Sequence, residues 1–492
     1  MKVKVISSFI WLSLFGITIN GQVRQPHSLY FMETIPQISQ MNPAFQPRTN
    51  GYVSLPANVN VDYRNDLAVK DILQRQGRIW YTPVEEHYDY DLLYKSIGKR
   101  ATVFSGGLDA DIFGFGFRTG KGYFSFGLSE HVSVNTALPS DLFKIPENGL
   151  PDNTSLDFSP LRTQSIAYMQ VNIGYSHKLN EQLTIGVNVK PLFGQAVVTT
   201  KIDQFKMNMD KQQWDFYAKG NFYSSLPVDE LSLDENDKIN KIEFKDFKNY
   251  TNKDWVRQGV GVNNPGIAID LGLAYQIDER LAVSAALNNL GFISWKNDLN
   301  GISFNGKYVF NGLDFDTSED YDFKKIMSNL GDSILNAMDY KIQHDKFTTM
   351  LAPVFHAGAT YNLSKSISVG FLSRSVFWQK SIQQSFNLSL NLQPYSFVAF
   401  NAGATWQVKS NVFLGSGFSL FIGPLQFYLL VDYIPIFYST VRIDEGDRRG
   451  EKIPYVPEHL KTETVRVGVN LVFGKHGYVN KPMLDKGKSS WN

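Results

Sequence analysis

Across residues 382–392 the even positions carry Ile382, Phe386, Leu388, Leu390 and Leu392, and the odd positions carry Gln383, Ser385, Asn387, Ser389 and Asn391. Side chains on a strand alternate between two faces, so this stretch has one greasy side and one polar side. The same period sets Ile267, Ile269, Leu271, Leu273 and Tyr275 against Ala268, Asp270, Gly272 and Gln276, and sets Leu183, Ile185, Val187 and Val189 against Thr184, Gly186, Asn188 and Lys190. It closes with residues 465–473, where large apolar residues alternate with Arg, Gly and Asn. Helical spacing would scatter these sets around a cylinder. Lipid offers the backbone no hydrogen-bond partners, so half-apolar strands that cross a bilayer must close on themselves. The pattern predicts an all-β fold, a closed antiparallel transmembrane β-barrel of about 14 strands.

Targeting signals agree. Lys2 and Lys4 precede an apolar run over residues 5–19, and the small Gly21 sits before Gln22. This reads as a secretory signal peptide at 1–21, because the apolar core is too short for a spanning helix and no stop-transfer pattern follows. Aromatics make up 14% of the chain and are spread along it, as interfacial rings on many strands would be. A net charge of +1 without a basic patch speaks against a nucleic-acid partner. With no cysteine, the chain has no disulfide, thiolate metal site, Cys nucleophile or lipidated Cys.

Strands are expected at 52–61, 102–118, 123–134, 164–178, 182–198, 265–277, 281–296, 347–362, 366–379, 381–392, 395–408, 411–422, 424–434 and 463–473. Barrels of this kind begin and end in the periplasm, with short turns there and longer loops outside. Running the first strand upward puts every long connection, 62–101, 135–163, 199–264, 297–346 and 435–462, on the outer face. Polar pieces such as Asp278-Glu279-Arg280, Asn180-Glu181 and Ser364-Lys365 suit the short turns. Residues 302–310 alternate weakly and stay inside the fourth long loop in this reading. Pro353 cannot donate to a ladder and predicts a bulge. Phe323, Ile326, Met327, Leu330, Ile334 and Met338 follow helical spacing and predict one short helix in the 297–346 loop.

Chemical motifs are few. Gly331-Asp332-Ser333-Ile334 looks like an esterase nucleophile block, but Ser333 falls within the predicted helix with no His placed to serve it. Asp234-Glu235-Asn236-Asp237 resembles the start of a calcium loop, yet Lys238 stands where an oxygen ligand belongs and the sixth-position Gly is missing. The eight His are dispersed without zinc spacing. No metal, cofactor or catalytic residue is assigned and no enzymatic activity is expected. On this register Lys190, Asp270, His356, Arg374, Asp432 and Arg466 face the lumen, where the charged ones need pairing or hydration.

Met41-Asn42-Pro43-Ala44-Phe45, just ahead of the first strand, resembles the Asn-Pro-Ala element of the FadL superfamily of outer-membrane transporters, which includes PorV-type proteins of Bacteroidota. The resemblance implies a fourteen-stranded barrel plugged by its N-terminal segment, with Asn42, Pro43 and Ala44 as plug residues. Further blocks are similar to an uncharacterised PorV/FadL-like family of Bacteroidota: 28–32, 138–143, 183–194, 287–295, 423–426 and the closing strand. Gly468, Leu471 and Phe473 look like the C-terminal insertion signal read by the barrel-assembly machinery. Val467 departs from that pattern, as does the Lys-rich tail at 474–492 that follows Phe473. The implied organisation is a signal peptide at 1–21, a plug at 22–50, a barrel at 51–473 and a periplasmic tail at 474–492. The implied role is non-enzymatic, in the cell outer membrane: transport of a hydrophobic small molecule, or docking of type IX secretion or gliding proteins.

Overall fold

Fourteen strands, counted among the described residues, form one closed ring. They are β1 (Gly51–Ser54 and Asn58–Asn65), β2 (Ala101–Thr119), β3 (Gly122–Pro139), β4 (Arg162–Lys178), β5 (Leu183–Met209), β6 (Pro265–Gln276) and β7 (Leu281–Trp295), followed by β8 (Phe347–Met350 and Val354–Asn362), β9 (Ile367–Trp378), β10 (Ser381–Tyr395), β11 (Val398–Gln407), β12 (Val412–Ile422), β13 (Leu425–Asp432) and β14 (Thr462–Phe473). This computed structural model describes residues 25–474, except 77–78, 82–88, 98–99, 145–153, 210–213, 227, 234–238, 245–259, 311–339, 379–380, 409–411, 435–437, 444–450 and 458–460. Each strand pairs antiparallel with its neighbours in chain order. The ring closes where β14 meets β1, with Phe473 opposite Gly51 and Val467 opposite Val59.

Alternation sorts the two faces as the residues dictate. Leu388 and Leu390 are exposed to the outside, while Asn387, Ser389 and Asn391 between and beside them are buried. Exposed Ile267, Ile269, Leu271 and Leu273 alternate in the same way with buried Ala268, Asp270 and Ala274. An apolar outer belt of this kind in a closed antiparallel barrel is the surface that lipid solvates, and the protein is a transmembrane barrel of the outer membrane. Phe113, Phe115, Phe117, Phe124 and Phe126 cluster on this face near the β2–β3 turn, with ring centroids 5.4 to 6.4 Å apart. They form part of an interfacial aromatic girdle. Tight turns mark that end of the barrel. At one of them Asp278 accepts from the Arg280 and Leu281 backbone N–H groups at 2.7 and 2.9 Å, which holds its carboxyl below the usual range.

The strand pattern departs from expectation in three places. β1 breaks at 55–57, around Pro56. β8 breaks at 351–353, so Pro353 interrupts the strand and is more than a bulge within it. Residues 302–310, assigned to a loop by their weak alternation, belong to a strand, Leu299–Phe310. That strand pairs with Trp214–Ser225, which pairs with the far end of β5, and Tyr340–Gln343 and Thr154–Asp157 complete a ribbon at the end opposite the tight turns. The ribbon has its own apolar cluster, including Leu156, Phe158, Met207, Phe216 and Phe304. It lies beyond the barrel wall, so the count of fourteen and the parity are untouched. The predicted helix with Ser333 and the 234–237 stretch fall outside the described residues, as do the 1–21 leader and the tail beyond Gly474.

Candidate functional site: the occupied barrel interior

A ring of eight strands leaves an interior that wall side chains just fill, and fourteen leave considerably more. Here the extra space is taken by the chain's own N-terminal segment. Two 3-10 turns, His27–Phe31 and Pro36–Gln40, lead into Asn42-Pro43-Ala44. Leu29, Tyr30, Phe31, Met32, Ile35, Ile38, Met41 and Phe45 are buried with Leu372, Ala399, Tyr428 and Leu430 of the inner wall. A greasy core inside a barrel with polar inner strands thus comes largely from the segment.

Glycines in the wall make the room. A Cβ on Gly358 would meet the Tyr30 ring, one on Gly370 the Phe31 ring and one on Gly417 the Met32 sulfur, all at 2.4–2.5 Å. A Cβ on Gly186 would lie 2.2 Å from the Pro43 carbonyl carbon, and one on Gly272 would lie 2.1 Å from Asn42 Oδ1. Real Cβ contacts do not occur at such distances, so each notch fits only a bare backbone. Asn42 itself is fully buried. Its side-chain amide donates to the Leu273 and Ala285 carbonyls at 3.2 Å each, and its Oδ1 accepts from Ala44 N–H at 2.9 Å. Asn288 donates back to the carbonyls of Gln40 and Met41 at 2.9 and 3.0 Å.

The predicted lumen-facing groups are all buried. Lys190 Nζ lies 2.6 Å from Asp270 Oδ2 and donates to Asn289 Oδ1 at 2.9 Å. Asp270 also accepts from Asn188 and from the Asn289 backbone N–H. That second bond depends on a bulge, with Asn289 at φ 62° and the β6–β7 register shifting beside Asp270. Asn tolerates this left-handed conformation better than most residues. Arg466 donates to Gln25, to Gln40 at 2.9 Å and to Asp111 at 3.3 Å. Arg374 donates to the Gln25 carbonyl at 2.8 Å. Asp432 accepts from His27 N–H at 2.7 Å and lies 2.5 Å from His27 Nδ1, while His27 Nε2 lies 2.9 Å from Ser385 Oγ. His356 packs its ring against Tyr30, centroids 5.8 Å apart, and its ring nitrogens meet no hydrogen-bonding group among the described residues. The charges come in pairs because each ion stripped of water loses several kcal/mol of solvation that only a well-placed partner offsets.

Gln25, His27, Asp109, Asp111 and His131 were not singled out by the sequence pattern, which marks their positions only as polar or as part of the N-terminal segment. His27 lines a small space of about 20 Å³. The other four line a larger, partly open cavity of about 120 Å³ between the segment and the wall, together with Ile166, Tyr168 and Leu351. Beside it the β4–β5 ladder lapses. Gln170 pairs with Leu192 and Ile173 with Val189, while Val171 and Asn172 are paired with β3 but skip register across to β5. Pro191, which has no N–H to give, stands opposite this gap. Gly468 and Leu471 lie within β14, and Phe473 ends it with its ring exposed on the outer face.

The fold and interior define an outer-membrane β-barrel whose lumen is occupied by its own N-terminal segment. The chain belongs to a family described as a family of unknown function (DUF5723), whose profile matches residues 43–432. No curated protein matches it. Among solved structures it is similar to the toluene transporter TbuX of Ralstonia pickettii, at 10% identity and TM-score 0.40, covering 94% of this chain and 100% of that one. It is also similar to the toluene transporter TodX of P. putida, at 9% identity and TM-score 0.41 with 89% and 95% covered. A FadL homologue of Pseudomonas aeruginosa follows at 10% identity and TM-score 0.38, with 93% and 100% covered.

Proposed function

We propose that this chain is an outer-membrane channel of FadL type in which residues 22–50 act as a plug and a small, mainly hydrophobic molecule passes beside it. The observation that carries the reading is the cavity of about 120 Å³ lying between the segment and a lapse in the wall ladder. An apolar cavity of about 150 Å³ can hold benzene, so this one is of the right order for a single ring. The apolar part of its inner lining, Ile166, Tyr168 and Leu351, suits the body of such a ligand. Asn42, Pro43 and Ala44 hold the plug in its glycine notches, and the paired charges keep the bare lumen from collapsing or leaking ions. Residues 1–21 serve as the leader, 474–492 as a periplasmic tail, and Gly468, Leu471 and Phe473 as the insertion signal for the barrel-assembly machinery. Uptake of a labelled fatty acid or monoaromatic into liposomes holding the full barrel tests transport. Uptake no faster than into protein-free liposomes counts against it.

A second reading is favoured by one feature. The lumen is packed with charged pairs, Lys190 with Asp270 and Arg466 with Asp111, as befits a barrel that never conducts. In that case its loops or tail would dock secretion or gliding components. Recovery of nothing but the barrel from cross-linked outer membranes would count against docking.

A further inference from the structure

The wall of the main cavity carries three side chains in a relay. Ser129 Oγ lies 2.9 Å from His131 Nε2, and His131 Nδ1 lies 2.6 Å from Asp109 Oδ1. Ser129 and His131 are two residues apart on β3, so the pleat turns both to the inner face. Asp109 stands directly opposite His131 on β2. Its other oxygen accepts from Gln25 of the N-terminal segment at 2.9 Å, which fixes the carboxylate. The Tyr168 ring stacks on the imidazole at 4.9 Å and 16°, which fixes the plane of the His131 ring. A carboxylate accepting from Nδ1–H leaves the Nε2 lone pair facing the serine hydroxyl, the arrangement an activated nucleophile requires. Gln170 is the direct cross-strand partner of Ser129 and lines the same cavity. Its amide supplies a hydrogen-bond donor on the same face of the wall.

We infer that this is a hydrolytic site for esters of small carboxylic acids, with Ser129 as nucleophile and His131 as base. Asp109 acts as a positioning residue, and the acyl group is no larger than about one aromatic ring, the size the cavity allows. Ser129 Oγ bonds to the ester carbonyl carbon while its proton passes to His131 Nε2. The carbon–oxygen bond to the alcohol then breaks, and the departing oxygen takes that proton. A lumen water attacks the acyl-serine, gives its proton to Nε2 and releases the acid, and Ser129 recovers its proton from His131. The inference is independent of what else crosses the barrel.

The molecule contains its own control. His27, Asp432 and Ser385 repeat the relay at 2.5 and 2.9 Å, but the space beside them is about 20 Å³, room for a water and no acyl group. The full chain, folded in detergent and checked by heat-dependent gel migration, is treated with a fluorophosphonate and separately with p-nitrophenyl acetate. A phosphonyl adduct on the Ser129 peptide and ester turnover are expected. Both are lost in Ser129→Ala and His131→Gln and kept in Ser385→Ala. Asp109→Asn slows labelling at neutral pH in a barrel that still folds. A folded wild-type barrel with no adduct on Ser129, or turnover unchanged in Ser129→Ala, overturns the assignment.

Discussion

Gly272 on β6 and Asn42 of the N-terminal segment approach so closely that a Cβ on the glycine would sit 2.1 Å from Asn42 Oδ1 and 2.8 Å from Ala44 N. Neither contact can relax cheaply, because Asn42 is tied to two wall carbonyls and Ala44 is backbone. Gly272→Val therefore expels or tilts the Asn-Pro-Ala piece. Overpacking of this kind costs about 1–3 kcal/mol. The expected outcome is a lower unfolding midpoint in denaturant, with larger single-channel conductance in a planar bilayer. Wild-type conductance in the variant would show that the segment does not occlude the lumen.

Lys190 and Asp270 are a buried pair whose partners come from three strands. Removing the acid alone leaves an ammonium stranded in the wall, a loss of about 3–5 kcal/mol. Removing both charges restores most of that. Asp270→Ala should fold poorly, and Asp270→Ala with Lys190→Met should recover stability to within about 1–2 kcal/mol of wild type, read from urea unfolding in detergent. Equal losses in the single and double variants would mean the ion pair is not what matters at this site.

Period-two alternation located every wall strand because the lipid face is uniformly apolar and any slip would put Asn387 or Asp270 into hydrocarbon. It failed where that constraint ends. In the outer ribbon, beyond the barrel wall, no lipid face enforces the alternation, so Ile302, Phe304 and Tyr308 read as a faint pattern in a loop although Phe304 and Tyr308 join an apolar cluster. The segment that fills the interior was legible only at Asn42-Pro43-Ala44, through resemblance. His27 meets Asp432, 405 positions away, and no local pattern records so distant a contact. Asp109 and His131 were hidden for another reason: on an inward face, a polar residue that hydrates the lumen and one that builds a relay occupy the same alternate positions.

His27 joins β10 and β13 through Ser385 and Asp432 and so pins the start of the segment. His27→Ala strands the buried Asp432 carboxylate, costing about 1–3 kcal/mol or somewhat more for a charged group. Ser385→Ala removes one neutral partner and costs about 1 kcal/mol or less. If the segment is held from this end, protease accessibility of residues 25–35 rises in His27→Ala and stays near wild type in Ser385→Ala. Unchanged protection in His27→Ala would place the hold at the glycine notches alone.

Tyr30 lies in the segment, buried, with its hydroxyl 2.9 Å from Ser284 Oγ. Burial, which penalises the phenolate, pushes its pKa from the ordinary 10 up to about 12 despite the hydrogen bonds that favour ionisation. A group raised on folding stabilises the folded state fully below its unfolded pKa and loses that contribution as pH climbs through the folded one. Here the window runs from about pH 10 to about pH 12, and the contribution is on the order of 2–3 kcal/mol. Tyr30→Phe cannot ionise. It should start slightly less stable than wild type, by about 1 kcal/mol for the lost hydroxyl bond, and the gap should close or invert as pH rises above 10. Denaturant midpoints of the two proteins measured between pH 8 and 12 check this. Parallel curves across that range would mean the Tyr30 hydroxyl meets solvent, and with it that the segment does not stay packed against the inner wall.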